Sequence, residues 1–226
     1  MSLLLMIETT AAVCSVSLAD DENFLMEENC FAENSHASIL HPQIEKLFLK
    51  TNRKINELNG VVLSAGPGSY TGLRVGTSAA KGFCMALNVP LIGVNTLDAM
   101  ATAFMKQHQP EKKFLLCPML DARRNEVFAG LYDADGNEIV AAGNFIVDEN
   151  FLPAFHQNEL LFFGSGAFKL ELLKNKFWKV FPDDVKPFSK NLHQIGLRKF
   201  KAREFENLAA FEPYYLKPVF ITQSKK

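Results

Sequence analysis

The chain has 226 residues, of which 48% are hydrophobic and 22% are charged. A chain of this size and composition can bury a core as one large domain or two small ones, which excludes a disordered protein. The four cysteines form no CxxC pair, and the apolar runs are too short to span a bilayer. We therefore expect a reduced, cytoplasmic protein with no membrane segment.

The net charge of −1 is unevenly distributed along the chain. Residues 165–226 contain 13 Lys and Arg against 6 Asp and Glu, whereas the preceding residues are acidic. Such an asymmetry is typical of a surface that faces nucleic acid or an acidic partner, but scattered lysines also occur on ordinary solvated surfaces. Both explanations stay open at this stage.

The first elements in chain order are three strands and a helix. The opening MSLLLMIETT has no basic leader and is interpreted as a buried strand, followed by strands at Cys14–Leu18 and Phe24–Asn29. The stretch NSHASILHPQIEKLFLK then places apolar residues on one helical stripe, with Asn34 or Ser35 as a possible cap. Pro42 is expected to kink this helix or restart it.

Strands and helices alternate in the next segment. Val61–Ser64 is a strand, a glycine-rich loop follows, and Thr71–Leu87 is predicted to be a helix with Thr71 as a possible cap. PLIGVN is the fifth strand and TLDAMATAFMKQ the third helix. This order predicts a mixed sheet with helices packed on it.

The pattern begins again after about residue 106. FLLCPMLDARRNEVFAGLYDADGNEIV reads as a second three-stranded meander, and ELLFFGSGAFKLELL as a strand, a glycine turn and a helix. The Phe- and Lys-rich region beyond it has only weak periodicity, and its prolines predict an extended tail. Two related halves are therefore expected.

The glycine-rich loop matches neither common nucleotide motif. Gly66, Gly68 and Gly72 give G-x-G-x-x-x-G, one residue longer than the dinucleotide fingerprint. A phosphate-binding loop of the Walker type needs Gly-Lys-Ser/Thr, but Leu73 and Arg74 follow Gly72. A strand, a glycine turn and a helix N-terminus could still bind an anion, or form a tight structural turn.

The helix after the loop has one nearly bare face, because Gly72, Gly76 and Ala80 recur every four residues. Each interior glycine costs about 0.5–1 kcal/mol relative to alanine, so another backbone is expected to lie against this face. That backbone could belong to the sheet of the same chain or to a helix of a partner.

Other candidate residues give weaker signals. His36 and His41 are five apart, about 140° around a helix, and do not face one metal ion. The charged turn at Asp121–Glu126 could orient a substrate, but charged turns are common. No nucleophile with a placed base is visible in the sequence.

Several stretches, in order along nearly the whole chain, resemble the bacterial TsaB (YeaZ) family. They are LLLMIETTAAVCSVSL, NSHASILHPQIEKL, VVLSAGPGSYTGLRVGTSAAKGF, PLIGVNTLDAMA, LDARRNEVFAGLYD and EPYYLKP. The resemblance implies an α/β, actin/sugar-kinase/Hsp70-like fold of two ribonuclease-H-like lobes with mixed sheets and helices. We expect an N-terminal lobe at 1–105 carrying the partner-binding helices and a C-terminal lobe at 106–226.

The resemblance also implies a non-catalytic role in making threonylcarbamoyladenosine in tRNA. Members of this family bind a catalytic, metal-containing paralogue, TsaD, together with an ATPase, TsaE, and they often form homodimers when alone. In the paralogue the metal depends on two helical histidines four residues apart, but this chain has Leu40 where the second should follow His36. No metal, no catalytic residue and no cofactor are therefore expected, although weak nucleotide binding stays open.

The family's partner surface consists of the first two helices, here about residues 34–50 and 71–87. The predicted partner-binding residues are Ile39, Pro42, Gln43, Lys46, Gly72, Leu73, Gly76, Thr77 and Ala80. A possible anion or nucleotide loop comprises Glu8, Thr9, Thr10, Gly66, Gly68, Ser69 and Thr71. On this reading tRNA is contacted through the complex. A stand-alone ATPase or phosphotransferase, and direct tRNA binding by the basic C-terminal quarter, remain as alternatives.

Overall fold

The chain folds around two five-stranded sheets in a computed structural model. The structure describes residues 2–31, 36–155, 157–173, 177–181 and 184–217. The predicted helix caps Asn34 and Ser35 lie outside these residues, as does the chain beyond Lys217.

The first sheet has the strand order β3-β2-β1-β4-β5. Its strands are β1 (Leu3–Glu8), β2 (Cys14–Asp20), β3 (Asn23–Cys30), β4 (Leu58–Gly66) and β5 (Leu91–Asn95). The first three pair antiparallel, whereas β4 and β5 continue the sheet in parallel. The predicted meander followed by alternating strands and helices is confirmed.

Helices α1 (His36–Thr51) and α2 (Tyr70–Leu87) cover one face of this sheet. Leu40, Ile44 and Leu47 of α1 are fully buried with Leu5 and Ile7 of β1. Of the two alternatives at Pro42, the restart is wrong, because α1 runs through that residue without interruption, and the kink stays a prediction. Burial of the apolar stripe on both sides of the proline offsets the cost of about 3 kcal/mol that proline imposes inside a helix.

The other face of the first sheet is covered by α4 (His193–Ala202). Side chains alternate along a strand, and Leu4 and Met6 accordingly point to α4 rather than to α1. Gly196 lets α4 lie directly on the sheet, because a Cβ at this position would come within 2.6 Å of Val62. The sequence did not predict this helix, whose buried face is small.

The second sheet repeats the topology of the first, with the order β10-β9-β6-β7-β8. Its strands are β6 (Leu115–Asp121), β7 (Glu126–Tyr132), β8 (Glu138–Ile146), β9 (Leu160–Phe163) and β10 (Trp178–Phe181). A 3-10 helix at Ala167–Leu172 replaces the α-helix predicted after the glycine turn. Two sheets of matching order are the predicted ribonuclease-H-like lobes of the actin/sugar-kinase/Hsp70-like fold.

Helix α3 (Thr96–His108) packs between the two sheets. Phe104 stacks on Phe163 of β9, with ring centroids 4.1 Å apart, while Ala99 packs in the cluster under the first sheet. The strands divide at the predicted boundary between residues 105 and 106, but α4 returns to the first sheet. The lobe boundary therefore stays a prediction.

Ion pairs neutralise some of the basic side chains in the last quarter of the chain. Lys201 pairs with Glu22 at 2.7 Å, and Lys169 pairs with Asp121. Another lysine, Lys217, lies 3.0 Å from Glu126. Because these cations meet carboxylates of the acidic part of the chain, the charge asymmetry partly reflects the folding of the C-terminal quarter onto that part.

Candidate functional site

A buried carboxyl group lies where β1 ends, beside the carboxyl end of the parallel strand β4. Glu8 is 1% exposed, and its Oε1 accepts hydrogen bonds of 2.6 Å from both the amide and the hydroxyl of Thr10. Burial raises the pKa of Glu8 to about 7, against the opposing effect of hydrogen bonds from Thr10 and Ser64. Ser64 also exchanges a 2.8 Å hydrogen bond with Thr96 at the start of α3. This polar network lies in a buried environment at the sheet edge where ligands bind in open α/β sheets.

The bare face of α2 is covered by the chain itself. A Cβ at Gly72 would overlap the carbonyl oxygen of Thr9, and a Cβ at Gly76 would overlap the hydroxyl oxygen of the same threonine. The Thr9 hydroxyl donates a 2.8 Å hydrogen bond to the Gly72 carbonyl. The intermolecular explanation of this glycine stripe is therefore wrong, because the backbone expected against it is the turn after β1.

The glycine loop is fastened to the same turn. The amide of Ser69 donates a 2.6 Å hydrogen bond to the Thr10 carbonyl, and a Cβ at Gly68 would overlap Thr10. The cap of α2 is Ser69, whose hydroxyl accepts from the Gly72 amide at 3.3 Å, and not Thr71 as predicted. Two amides of a potential anion site are thus used within the chain, and Thr71 is exposed beside them. Nucleotide or anion binding here stays a prediction.

The C-terminal tail lies against the other side of this loop. The Tyr214 amide donates a 2.7 Å hydrogen bond to the Ala65 carbonyl. Gly66 has a φ of 111°, and a Cβ there would lie 2.8 Å from the Tyr214 carbonyl oxygen. Glycine is required at this position by its left-handed backbone and by the close approach of the tail.

An open groove of about 600 Å³ runs between the outward faces of α1 and α2. Its walls are mostly small or apolar residues: Ala37, His41, Arg74, Val75, Ser78, Ala79, Gly82, Phe83 and Ala86. The rings of His41 and Phe83 meet across the two helices with centroids 5.8 Å apart. A Cβ added at Gly82 would have no atom within 4 Å, so this glycine faces open space.

The predicted partner-binding residues divide into two groups. Pro42 and Lys46 are exposed and Ile39 is half-buried, so their side chains remain reachable. The buried group cannot present side chains to a partner in this conformation: Gln43, Gly72, Leu73, Gly76, Thr77 and Ala80. The prediction that these six positions contact a partner is wrong, because Gly72 and Gly76 lie against Thr9 and the other four residues are buried.

Helix α2 has two faces of small residues, and the one predicted to meet a partner is the buried one. Ser78, Gly82 and Ala86 also recur every four residues and line the open groove. A repeat of four identifies one face of a helix but does not say whether that face meets the sheet or solvent. The apolar residue Leu73, beside the buried stripe, indicates which of the two faces lies inward.

The helical histidine of α1 is held by backbone oxygens. Nε2 of His36 lies 3.0 Å from the Ala11 carbonyl oxygen, and Leu40 one turn later is fully buried in the core. Within the described ranges, no group of three or more His, Cys, Asp and Glu side chains could hold a metal ion.

The charged turn between β6 and β7 occupies the same place in the second lobe as the turn after β1 in the first. Arg123 and Arg124 at its tip are exposed and have left-handed backbone, with φ of 68° and 50°. Lys169 donates hydrogen bonds to Asp121 and to the Glu126 carbonyl oxygen. The predicted role of this turn in orienting a substrate stays a prediction.

Comparison with known proteins agrees with this architecture. A family model described as TsaD, tRNA N6-adenosine threonylcarbamoyltransferase, matches residues 30–214. The chain is 32% identical over 127 residues to the tRNA threonylcarbamoyladenosine biosynthesis protein TsaB of Haemophilus influenzae, covering 55% of this chain and 51% of that protein. It is 30% identical over 137 residues to the Escherichia coli protein of the same name, covering 60% and 57%. The matched region thus spans about half the length of these relatives.

Solved structures match over almost the whole chain. A Pseudomonas aeruginosa protein described as similar to the peptidase YeaZ superposes with a TM-score of 0.81 at 22% identity, covering 96% of this chain and all of that one. YeaZ from Pseudomonas aeruginosa gives 0.78 at 21% identity, with the same coverage. In the part of the chain that the structure describes, no helix has the length and apolar character needed to cross a bilayer. The chain belongs to the family described by the matching model, and its predicted kinship with the TsaB (YeaZ) proteins is confirmed.

Proposed function

We propose that the chain is a non-catalytic, activating scaffold in the formation of threonylcarbamoyladenosine in tRNA. It would bind a TsaD-type catalytic paralogue and work with a TsaE-type ATPase, so that tRNA is reached through the complex. The observation that carries the proposal is the open apolar groove between α1 and α2, on a chain matched over residues 30–214 by the family model.

The first helix supports a non-catalytic role. A metal site built on α1 would need a second imidazole one turn after His36, and that position holds Leu40. The Leu40 side chain is fully buried in the apolar core, and Nε2 of His36 is hydrogen-bonded to a backbone carbonyl oxygen. The residues present do not fit the metal of the paralogue, and the transfer chemistry is assigned to the partner.

The groove is suited to helices of a partner. Small side chains at Ala37, Ser78 and Gly82 allow another helix to approach closely, and helix axes pack 8–10 Å apart when the contact residues permit it. Exposed Leu49 and Met85 add apolar surface on the same two helices. In the absence of the paralogue, two copies of this chain would pair through the same groove and form a homodimer.

A capture experiment with the TsaD-type paralogue tests the groove. Gly82→Arg places a long cation in the groove, and it disturbs no internal contact because a Cβ there meets no atom. The matched control is Ala202→Arg, at the exposed end of α4 on the opposite face of the first sheet. We expect Gly82→Arg to lose capture of the paralogue and self-association in size-exclusion chromatography, while Ala202→Arg behaves as wild type.

Equal capture by wild type and Gly82→Arg, both folded by circular dichroism, would refute the groove as the binding surface. Failure of wild type to bind the paralogue under any tested condition would refute the scaffold function itself. A TsaE-type ATPase added to the reconstituted pair should join a three-component complex, which the same chromatography measures.

A phosphotransferase or ATPase is the second candidate. It is favoured by Glu8, a buried carboxyl with a raised pKa beside the glycine loop, but the amides of Ser69 and Gly72 are already bonded within the chain. Calorimetry with ATP and Mg²⁺ on the isolated chain distinguishes the two functions. The scaffold proposal expects no turnover and at most weak binding.

A further inference from the structure

The C-terminal tail joins the functional loops of the two lobes. Tyr214 is bonded to Ala65 beside the glycine loop, and Leu216 packs into the core cluster under the second sheet. One residue later, the Lys217 ammonium lies 3.2 Å from the Ala122 carbonyl oxygen in the charged turn. The tail therefore runs from the glycine loop before α2 to the turn between β6 and β7.

Exposed aromatic rings mark the part of this surface that lies on the first lobe. Tyr70 and Tyr215 pack together with ring centroids 5.0 Å apart, and the Arg74 guanidinium lies 5.7 Å from the centroid of Tyr70. Tyr70, Tyr214 and Tyr215 are 39%, 47% and 41% exposed. Three neighbouring tyrosines with open ring surface form a platform on which planar groups can stack.

Positive charge marks the part that lies on the second lobe. Arg123 and Arg124 are exposed, and neither forms a salt bridge within the described residues, although the charge of Arg124 helps to lower the pKa of Glu126. The carboxylates of this turn are instead neutralised by lysines, since Asp121 pairs with Lys169 and Glu126 with Lys217. The two guanidinium groups thus remain available to an external anion, and their left-handed backbone keeps them at the tip of the turn.

We propose that the surface along this tail, named here the tail face, binds an unpaired segment of RNA. The face consists of Tyr70, Arg74, Arg123, Arg124, Tyr214 and Tyr215. The arginines contact phosphates, and the tyrosines stack on bases that are free of a duplex. A protein partner is less well matched, because apolar anchors are concentrated in the groove between α1 and α2 instead. The identification of the RNA as tRNA rests on the proposed function.

The charge contribution is tested with an unmodified tRNA transcript and fluorescence anisotropy at several salt concentrations. The variant is Arg123→Gln with Arg124→Gln, compared with Lys112→Gln with Lys113→Gln. The control removes the same charge just before the start of β6, whereas the arginines follow its end, about 20 Å away along the strand. Its two lysines are exposed, and their ion pairs contribute little stability. We expect the arginine variant to bind about tenfold more weakly, while the control binds as wild type. The slope of the logarithm of the binding constant against the logarithm of the salt concentration should become shallower by about 0.7 per lost phosphate contact.

The stacking contribution is tested with Tyr215→Ala. Loss of one stacked base weakens single-strand binding by about 10-fold and leaves the salt dependence unchanged, because no charge is removed. Phe31→Ala, at another exposed aromatic residue, is the matched control and should bind as wild type. A fully paired RNA of equal length should bind more weakly than the transcript and be insensitive to Tyr215→Ala.

Two outcomes of the binding assay would overturn the inference: wild type does not bind tRNA at low salt, or the arginine variant and the lysine control lose equal affinity for tRNA. A third is an arginine variant that no longer captures the paralogue but binds tRNA as wild type does. The last outcome would reassign the face to a protein. A failure of the scaffold proposal gives a different result: wild type does not capture the paralogue, but the isolated chain still binds tRNA.

Discussion

Glu8→Gln is expected to stabilise the protein at high pH and to have little effect at low pH. The carboxyl of Glu8 is 1% exposed, and burial raises its pKa from an ordinary value of 4.5 to about 7. Between these values the unfolded chain loses the proton while the folded chain keeps it, so the folded state binds more protons. Stability therefore falls as the pH rises from about 4.5 to 7, and the full loss is present above about 7.

The magnitude follows from the two pKa values. A tenfold change in an acid constant corresponds to about 1.4 kcal/mol, so ionisation of buried Glu8 destabilises the fold by about 3 kcal/mol. Glutamine has nearly the same shape and can still accept the two hydrogen bonds from Thr10. The stability of Glu8→Gln relative to wild type should therefore rise by about 3 kcal/mol between pH 4.5 and pH 8.

Urea unfolding of both proteins, followed by circular dichroism at these two pH values, measures this difference. All other titrating groups are common to the two proteins and largely cancel. Glu149→Gln, which removes an exposed carboxyl, is the control and should show a small change at both pH values. A difference between Glu8→Gln and wild type that is the same at pH 4.5 and pH 8 would refute the reasoning.

Two further predictions concern α2. Gly76→Ala should lower the free energy of unfolding in urea by about 1–3 kcal/mol, because the added Cβ overlaps the Thr9 hydroxyl. Gly82→Ala should instead raise it by up to about 1 kcal/mol, because its Cβ meets no atom. Equal effects of the two alanines would contradict the assignment of one glycine to the interior and the other to the groove. Thr77→Val should be neutral or stabilising by about 1 kcal/mol in the same assay, because the buried Thr77 hydroxyl has no hydrogen-bond partner among the described residues. A loss of more than 1 kcal/mol would mean that this hydroxyl is bonded in solution.

Most strands could be predicted from the sequence because their apolar runs are bounded by polar turns. The nine strands from β1 to β9 and the helices α1 to α3 followed from such patterns, and the duplicated order then predicted two lobes. Helix α4 could not be predicted, because it lacks the wide apolar stripe that marks most surface helices. It packs on the sheet through the close contact of Gly196 with Val62 instead. β10 has four residues, too few for periodicity to distinguish a strand from a loop.

The glycine stripe shows the limit of local sequence reasoning about the site. Spacing correctly predicted that a backbone approaches Gly72 and Gly76, but the approaching group is Thr9, more than 60 positions away in the chain. A partner helix and a loop of the same chain impose the same requirement for a missing Cβ. Only the tertiary position of the turn after β1 separates these two explanations.

The equivalent glycine loops of the two lobes form equivalent internal hydrogen bonds. β1 and β6 are the central strands of their sheets, and a glycine loop follows the parallel neighbour of each. In the first lobe the Ser69 amide bonds to the Thr10 carbonyl, and in the second the Gly166 amide bonds to the Met119 carbonyl at 3.0 Å. Each glycine loop is therefore tied to the central strand or its turn by an amide that an anion would otherwise use. These internal hydrogen bonds favour a scaffold over a nucleotide-binding enzyme, and they leave the groove between α1 and α2 and the tail face as the surfaces proposed for its partners.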